Sequence, residues 1–290
     1  MFVVKRIFKN LWRPIYWVIF APMRRPIPYA LIMCCRFYLL LGVLLFIFQK
    51  HLIFQTGYGS WQDCPALVSR GAIKIDKAAD LGLVRGWYLP KADAVGRVYV
   101  FHGNYGHACR RTYLLSLFQS LPLEVVLVEY PGYDGTEVDY QKILQRGPAI
   151  YDEMQAKRPL PSLAFGESLG TGVATYLGKE RPLKGLLLYA GYPSITKVAS
   201  QHFSMYPYEF MVKYPFPAEV WARSVGEPVL MIHGSEDEVI SYSLGLEQSA
   251  NFINSKIRTL DGAKHNSWMS YLSEADFNAI RDFLHELVYN

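Results

Sequence analysis

From residue 30 the chain runs apolar for nineteen residues, "ALIMCCRFYLLLGVLLFIF", broken only by Arg36. That length approaches the ~20 residues needed to cross a hydrocarbon core. Arg36 lies near one end, where a long cation can snorkel to the interface. The pattern predicts a membrane-spanning helix over about 30–48, then an apolar strand opening at "HLIFQTG" (51–57) with almost no linker. Beyond it the chain carries short apolar runs: "AIKID" (72–76), "LVRGWYLP" (83–90), "RVYVF" (97–101), "EVVLVEY" (124–130), "SLAF" (162–165), "GLLLYA" (185–190), "PVLMIH" (228–233) and "KIRTL" (256–260). The later ones are continuous and rich in Val, Leu and Ile, as strands buried on both faces are.

Stretches of helical spacing separate these later runs: "RRTYLLSLFQSL", "YQKILQRGPAIYDEMQ", "SLGTGVATYLGK", "SYSLGLEQSANFI" and "SEADFNAIRDFLHELV". Strand alternating with helix through tight links predicts an α/β domain, a mainly parallel sheet with helices on both faces. The division expected is an N-terminal segment and anchor over 1–50 and one α/β domain over 51–290. A short lid, about 191–227, stands between the sixth strand and "PVLMIH". Its segment 202–221 is crowded with aromatic residues, suiting an acyl-binding wall, although ordinary helix packing produces the same composition.

Charge sharpens the picture. The chain has 30 basic and 25 acidic residues, yet the first acid is Asp63. Eight basic residues precede it (Lys5, Arg6, Lys9, Arg13, Arg24, Arg25, Arg36 and Lys50), leaving 22 basic against 25 acidic for positions 63–290. The basic excess therefore flanks the apolar span, which points to membrane orientation and away from nucleic acid. It places the N-terminus in the cytosol and the α/β domain on the other side. The earlier piece "LWRPIYWVIFAP" (11–22) suits an interfacial segment. A cleaved signal peptide competes with the anchor, since Phe37–Phe48 has the length of its apolar core, and so does a helix buried in the fold or lying on the membrane. Of the four cysteines, Cys64 and Cys109 fall outside the cytosol in this orientation, free to pair; the spacing offers no zinc pattern.

In a mainly parallel sheet, chemistry collects after the C-terminal ends of the strands. There the sequence places "HGN" (102–104), the elbow Gly166-Glu167-Ser168-Leu169-Gly170, Asp237 after "IHGSE", and His265 after "TLDGAK". A serine hydroxyl is a weak nucleophile and needs a base and a group to orient that base. Ser168, His265 and Asp237 fill those roles in the chain order serine, acid, histidine. The backbone N–H groups of Leu169 and Asn104 are the candidate donors to a developing oxyanion. His102 and His233 read as structural braces. A phosphate cradle is excluded: the glycine spacing is wrong for a dinucleotide fingerprint, no Gly-Lys-Ser/Thr occurs, and "GLLLYAG" ends without an acid.

Taken in order, "FHGNYG", "VEYPGYDG", "GESLGTGVA", "IHGSEDEVI" and "GAKHNSW" resemble the α/β-hydrolase fold superfamily over about Leu52–Val288. Within it the chain is most similar to membrane-anchored α/β-hydrolase-domain serine hydrolases, a group that includes lysophospholipases, monoacylglycerol lipases and protein depalmitoylases. The resemblance implies Ser168 as nucleophile, His265 as base, Asp237 as orienting acid, and no cofactor or metal. "HGN" departs from the "HGGG" of many lipases, and Tyr133-Asp134-Gly135-Thr136 stands where the family has "GYGxS", a turn of structural importance. The expectation is an anchored hydrolase of acyl esters or thioesters. Its partners are the lipid bilayer and an acyl-bearing small molecule or acylated protein. An anchored peptidase or a non-catalytic scaffold of the same fold are the alternatives.

Overall fold

The computed structural model describes residues 26–57, 59–79 and 82–289. The segment read as interfacial (11–22) and the basic residues up to Arg25 lie outside them. The chain divides into two compact units, 1–50 and 51–290. In the first, helix α1 (Pro26–Ile53) exceeds the expected span at both ends. Its Pro26 and Pro28 fall in the opening turn, where a missing N–H breaks no helical bond. Over Tyr29–Ile53, 25 residues that include an 18-residue window of mean hydropathy 2.5, it is long and apolar enough to cross a membrane. The strand expected at 51–57 does not form. The helix runs on to Ile53, and Gln55 alone makes a parallel bridge, to Tyr105.

The second unit opens with the one-turn helix α2 (Pro65–Val68) and is built on an eight-stranded sheet: β1 (Ile73–Ala79), β2 (Gly82–Leu89), β3 (Gly96–Phe101), β4 (Leu123–Val128), β5 (Ser162–Glu167), β6 (Gly185–Tyr189), β7 (Val229–Gly234) and β8 (Ser255–Leu260). The strand order is β1-β2-β4-β3-β5-β6-β7-β8, with β1, β2 and β4 antiparallel in turn and every later pair parallel. Strands β3 to β7 are buried along their whole length, which explains their unbroken apolar pattern. From β3 the chain steps one way to β4, then crosses back over β3 to β5 and continues that way to β8. With right-handed crossovers, this reversal sends the connections to opposite faces. One face receives the 3-10 segment Ala108–Leu117. The other receives α3 (Tyr140–Lys157), α4 (Leu169–Glu180) and α8 (Tyr242–Asn251). The C-terminal helix α9 (Glu274–Tyr289) packs beside the 3-10 segment. That segment corrects the α-helix expected at 110–121; its φ/ψ values depart from helical at Arg111.

Register brings the strand ends level. Phe101 pairs with Val128 and Gly166, Glu167 with Tyr189, Tyr189 with Ile232, and Gly234 with Leu260. The loops that follow therefore emerge side by side. The lid region holds three short helices, α5 (Ile195–His202), α6 (Tyr208–Met211) and α7 (Ala218–Ala222). Its aromatic residues divide. Phe216 and Trp221 are core, with Phe216 edge-on to Tyr140 at 4.8 Å, whereas Phe210 is 87% exposed. The "YDGT" turn is structural, as expected. Asp134 accepts from the Thr136 N–H at 3.0 Å and ion-pairs with Arg146 and Arg85 at 3.2 and 3.3 Å.

The stretch that enters the domain is fixed along its length. Phe54 is buried, the Trp61 indole donates to the Asp134 carbonyl at 2.9 Å, and Cys64 forms a disulfide with Cys109 across a Cα–Cα distance of 5.6 Å. The crosslink closes a 45-residue separation, for which loop entropy predicts a stabilisation of up to about 4 kcal/mol. Cys64→Ser is expected to lower the denaturation midpoint of the full-length protein under non-reducing conditions, and dithiothreitol should bring wild type down to the variant. Equal midpoints without reductant would refute the constraint.

Candidate active site

Strand β5 ends at Glu167 and α4 begins at Leu169, so the chain reverses within one residue, Ser168. Ser168 takes φ 52°, ψ −119°, a region that non-glycine residues rarely occupy. The turn depends on its flanking glycines. A Cβ on Gly170 would stand 2.6 Å from the Phe101 carbonyl carbon and 2.7 Å from the His102 oxygen. One on Gly166 would stand 2.6 Å from the Thr171 Cα. Both contacts are with backbone, which cannot give way cheaply. The Ser168 N–H donates to the Tyr189 carbonyl at 2.8 Å and ties the elbow to the next strand.

The predicted residues from three loops meet here. Ser168 Oγ lies 3.0 Å from His265 Nε2, and His265 Nδ1 lies 2.7 Å from Asp237 Oδ2. All three residues are buried. A carboxylate only accepts, so Nδ1 carries the proton toward Asp237 and Nε2 presents its lone pair to the serine hydroxyl, a tautomer assigned from these partners. Asp237 Oδ1 accepts from the N–H groups of Val239 and Ile240 at 2.9 and 2.8 Å. Burial alone would push this carboxyl up. The hydrogen bonds from His233 and His265, with the backbone donor of Ile240, more than offset it and hold Asp237 well below the usual carboxylate range.

His233 and Tyr189 support this chain. His233 Nε2 stands 2.9 Å from the Ile240 carbonyl and 3.4 Å from Asp237 Oδ2, both acceptors, so it donates toward the acid loop. The Tyr189 hydroxyl donates to the His265 carbonyl at 2.7 Å and its ring stacks on Trp268 at 4.3 Å. His233 was legible as a brace from its place before Gly234. Nothing in the sequence marked Tyr189.

The loop after β3 is held at each carbonyl. That of His102 accepts from the Tyr130 hydroxyl at 3.0 Å, and that of Asn104 from the Tyr133 hydroxyl at 2.6 Å and the Gln55 N–H at 3.0 Å. The Gly103 carbonyl points back at His102 Nδ1, 2.7 Å away. Its trans peptide therefore carries the Asn104 N–H in the opposite direction. The Leu169 N–H, at the first position of α4, is one of the donors a helix leaves without an internal partner.

A cavity of about 690 Å³ opens onto Ser168. Asn104, Tyr105, Glu167, Ser168, His265 and Trp268 belong to its walls, together with Gln55, Arg110, Arg111 and Tyr113. The described lining of this cavity includes no aromatic residue of the 202–221 segment. Glu167, an elbow residue that the sequence gives no role, accepts from Arg111 Nε at 2.6 Å and from the Tyr113 hydroxyl. Burial would raise its carboxyl, and the Arg111 charge with these hydrogen bonds brings it below its ordinary value.

No protein-family model matches the chain. An uncharacterized protein of Mycobacterium tuberculosis is 28% identical over 255 residues, covering 84% of this chain and 91% of that protein. The lysophosphatidylserine lipase ABHD12 of Macaca fascicularis is 26% identical over 275 residues, 83% of this chain, which spans only 61% of the lipase's length. Among solved structures, the Pyrococcus furiosus esterase matches with TM-score 0.62 at 14% identity, over 80% of this chain and 96% of the esterase. Est1E from Butyrivibrio proteoclasticus matches with TM-score 0.59 at 18% identity, over 76% and 99%. These likenesses establish the α/β-hydrolase fold that the ordered motifs led one to expect.

The lowered pKa of Asp237 has a consequence for stability. Its contribution is fully present above its unfolded value, about pH 4, and is lost as pH falls toward the lower folded value. The stability gap between wild type and Asp237→Asn, read from denaturant titrations, should therefore be constant above about pH 5 and narrow steadily below about pH 4. A gap that stays constant down to about pH 3 would contradict the assigned ionisation.

Proposed function

We propose that the chain is a membrane-anchored serine hydrolase that cleaves an acyl ester or thioester through an acyl-enzyme. The observation that carries this reading is the buried hydrogen-bonded chain Ser168–His265–Asp237, with steps of 3.0 and 2.7 Å. Ser168 Oγ attacks the acyl carbonyl as His265 Nε2 takes its proton, and the Asp237 carboxylate stabilises the imidazolium that results. The Asn104 and Leu169 N–H groups receive the oxyanion. Collapse expels the alcohol or thiol with a proton returned by His265. Water, activated by the same imidazole, then releases the acid and restores Ser168.

Support for an ester substrate comes from the relative named a lysophosphatidylserine lipase and from the esterases that share the fold. A lipid ester is the leading substrate, and an acyl-thioester on a protein is accessible to the same chemistry. An aminopeptidase would require a free acid to hold the substrate's ammonium group. Glu167, the carboxylate on the described cavity wall, is already paired with Arg111. That disfavours the peptidase.

The anchor in this reading is α1. The eight basic residues before Asp63 put the N-terminus in the cytosol. The Cys64–Cys109 disulfide supports an oxidising compartment for the hydrolase domain.

A fluorophosphonate probe should label the wild-type protein and leave Ser168→Ala unlabelled; equal labelling of both would sink the nucleophile assignment. Carbonate washing should leave the full-length chain in the membrane pellet, and its recovery in the supernatant would overturn the anchor.

A further inference from the structure

The walls of the Ser168 cavity carry two arginines in sequence, and they do different things. Arg111 is buried, ion-paired with Glu167 and donating through Nη2 to the Tyr105 carbonyl at 3.0 Å. Arg110 is exposed, and among the described residues it has no ion pair. Its guanidinium lies 5.3 Å from the centroid of the Tyr105 ring, and both residues line the cavity.

That placement is built by the backbone. Gly106 adopts φ +68°, and a Cβ there would stand 2.6 Å from Arg110 Cδ. The side chain therefore crosses close over Gly106, whose left-handed φ favours glycine, and a Cβ there would push the arginine aside. Just before Arg110, Cys109 is crosslinked to Cys64, and the Arg110 N–H donates to the His107 carbonyl at 3.0 Å. A guanidinium held over an aromatic face by cation–π attraction keeps N–H groups for a phosphate or carboxylate, which it can bind with two parallel hydrogen bonds.

We propose that Arg110 is a specificity-determining residue that binds an anionic group, phosphate or carboxylate, on an acyl substrate seated at Ser168. The proposal rests on the reading of that cavity as an ester-hydrolase site. The charge balance of the walls supports it: Glu167 neutralises Arg111, and Arg110 remains. Because Arg110 is exposed, its pull on the ligand is partly screened, so the preference for anions weakens as salt rises.

Binding to the full-length Ser168→Ala protein in detergent micelles separates recognition from turnover. The ligands are a lysophosphatidic acid, a monoacylglycerol hemisuccinate and a neutral monoacylglycerol of the same chain length. Adding Arg110→Gln should weaken binding of at least one anionic lipid by about tenfold or more, the worth of a charged hydrogen bond, and leave the neutral lipid within about twofold. Loss in the phosphate arm alone, the carboxylate arm alone, or both identifies the group recognised. Arg110→Lys should recover part of the loss, and Tyr105→Leu should reproduce part of it. Unchanged anion affinity, or an equal loss for the neutral lipid, would overturn the proposal. Turnover of the neutral ester by wild type tests the hydrolase reading separately: anion-selective binding without any ester cleavage would sink that reading and leave Arg110 as a binding residue.

Discussion

The structure depends on one close approach, that of α4 to the end of β3. Gly170 lies so near the Phe101 and His102 carbonyls that a methyl group has no room, and this proximity forces the chain to reverse at a single residue. Ser168 pays for the reversal with a φ of 52°. The same contact sets the first turn of α4 beside the loop that carries Asn104. A small residue, a strained one and two facing backbones thus act as one device. Were the helix displaced outward, the strain would relax and the serine would lose its distance to both His265 and the loop.

Around that device the charges are matched almost one to one. Asp237 is met by His265, His233 and two backbone donors, Glu167 by Arg111 and Tyr113, and Glu129 by His102 and the Ala108 N–H. Buried carboxylates are tolerated only under such conditions. Each pair also holds a segment. His102 keeps the loop after β3 in place, Arg111 reaches from the 3-10 segment to the elbow, and His233 holds the acid loop to the end of β7. Electrostatic satisfaction and positioning are therefore one and the same set of contacts.

Much of this was legible in the sequence because it is local. Apolar runs buried on both faces gave the central strands, and the residues directly after them included Ser168, Asp237 and His265. What stayed hidden depends on distant partners. The 3-10 segment carries helical spacing, yet its backbone follows the ties at Cys109 and Arg111 and not propensity. The expected strand at 51–57 is lost because α1 continues through its first residues. Tyr189 and Glu167 matter through neighbours 76 and 56 positions away, which no periodicity reveals. Composition likewise cannot tell a ring on the surface from one buried in the core, and the aromatic lid holds both, with Phe216 buried and Phe210 exposed.

The pairing of Glu167 with Arg111 also constrains how this sequence can change. Removing either partner strands a buried charge, at a cost of about 3–5 kcal/mol. That is a large share of the 5–15 kcal/mol by which folded domains typically exceed their unfolded states. Removing one partner alone therefore costs much of the stability margin, whereas replacing both together leaves no charge stranded. The two positions are thus coupled, and a change at one without the other requires the ground next to the nucleophile to be rebuilt.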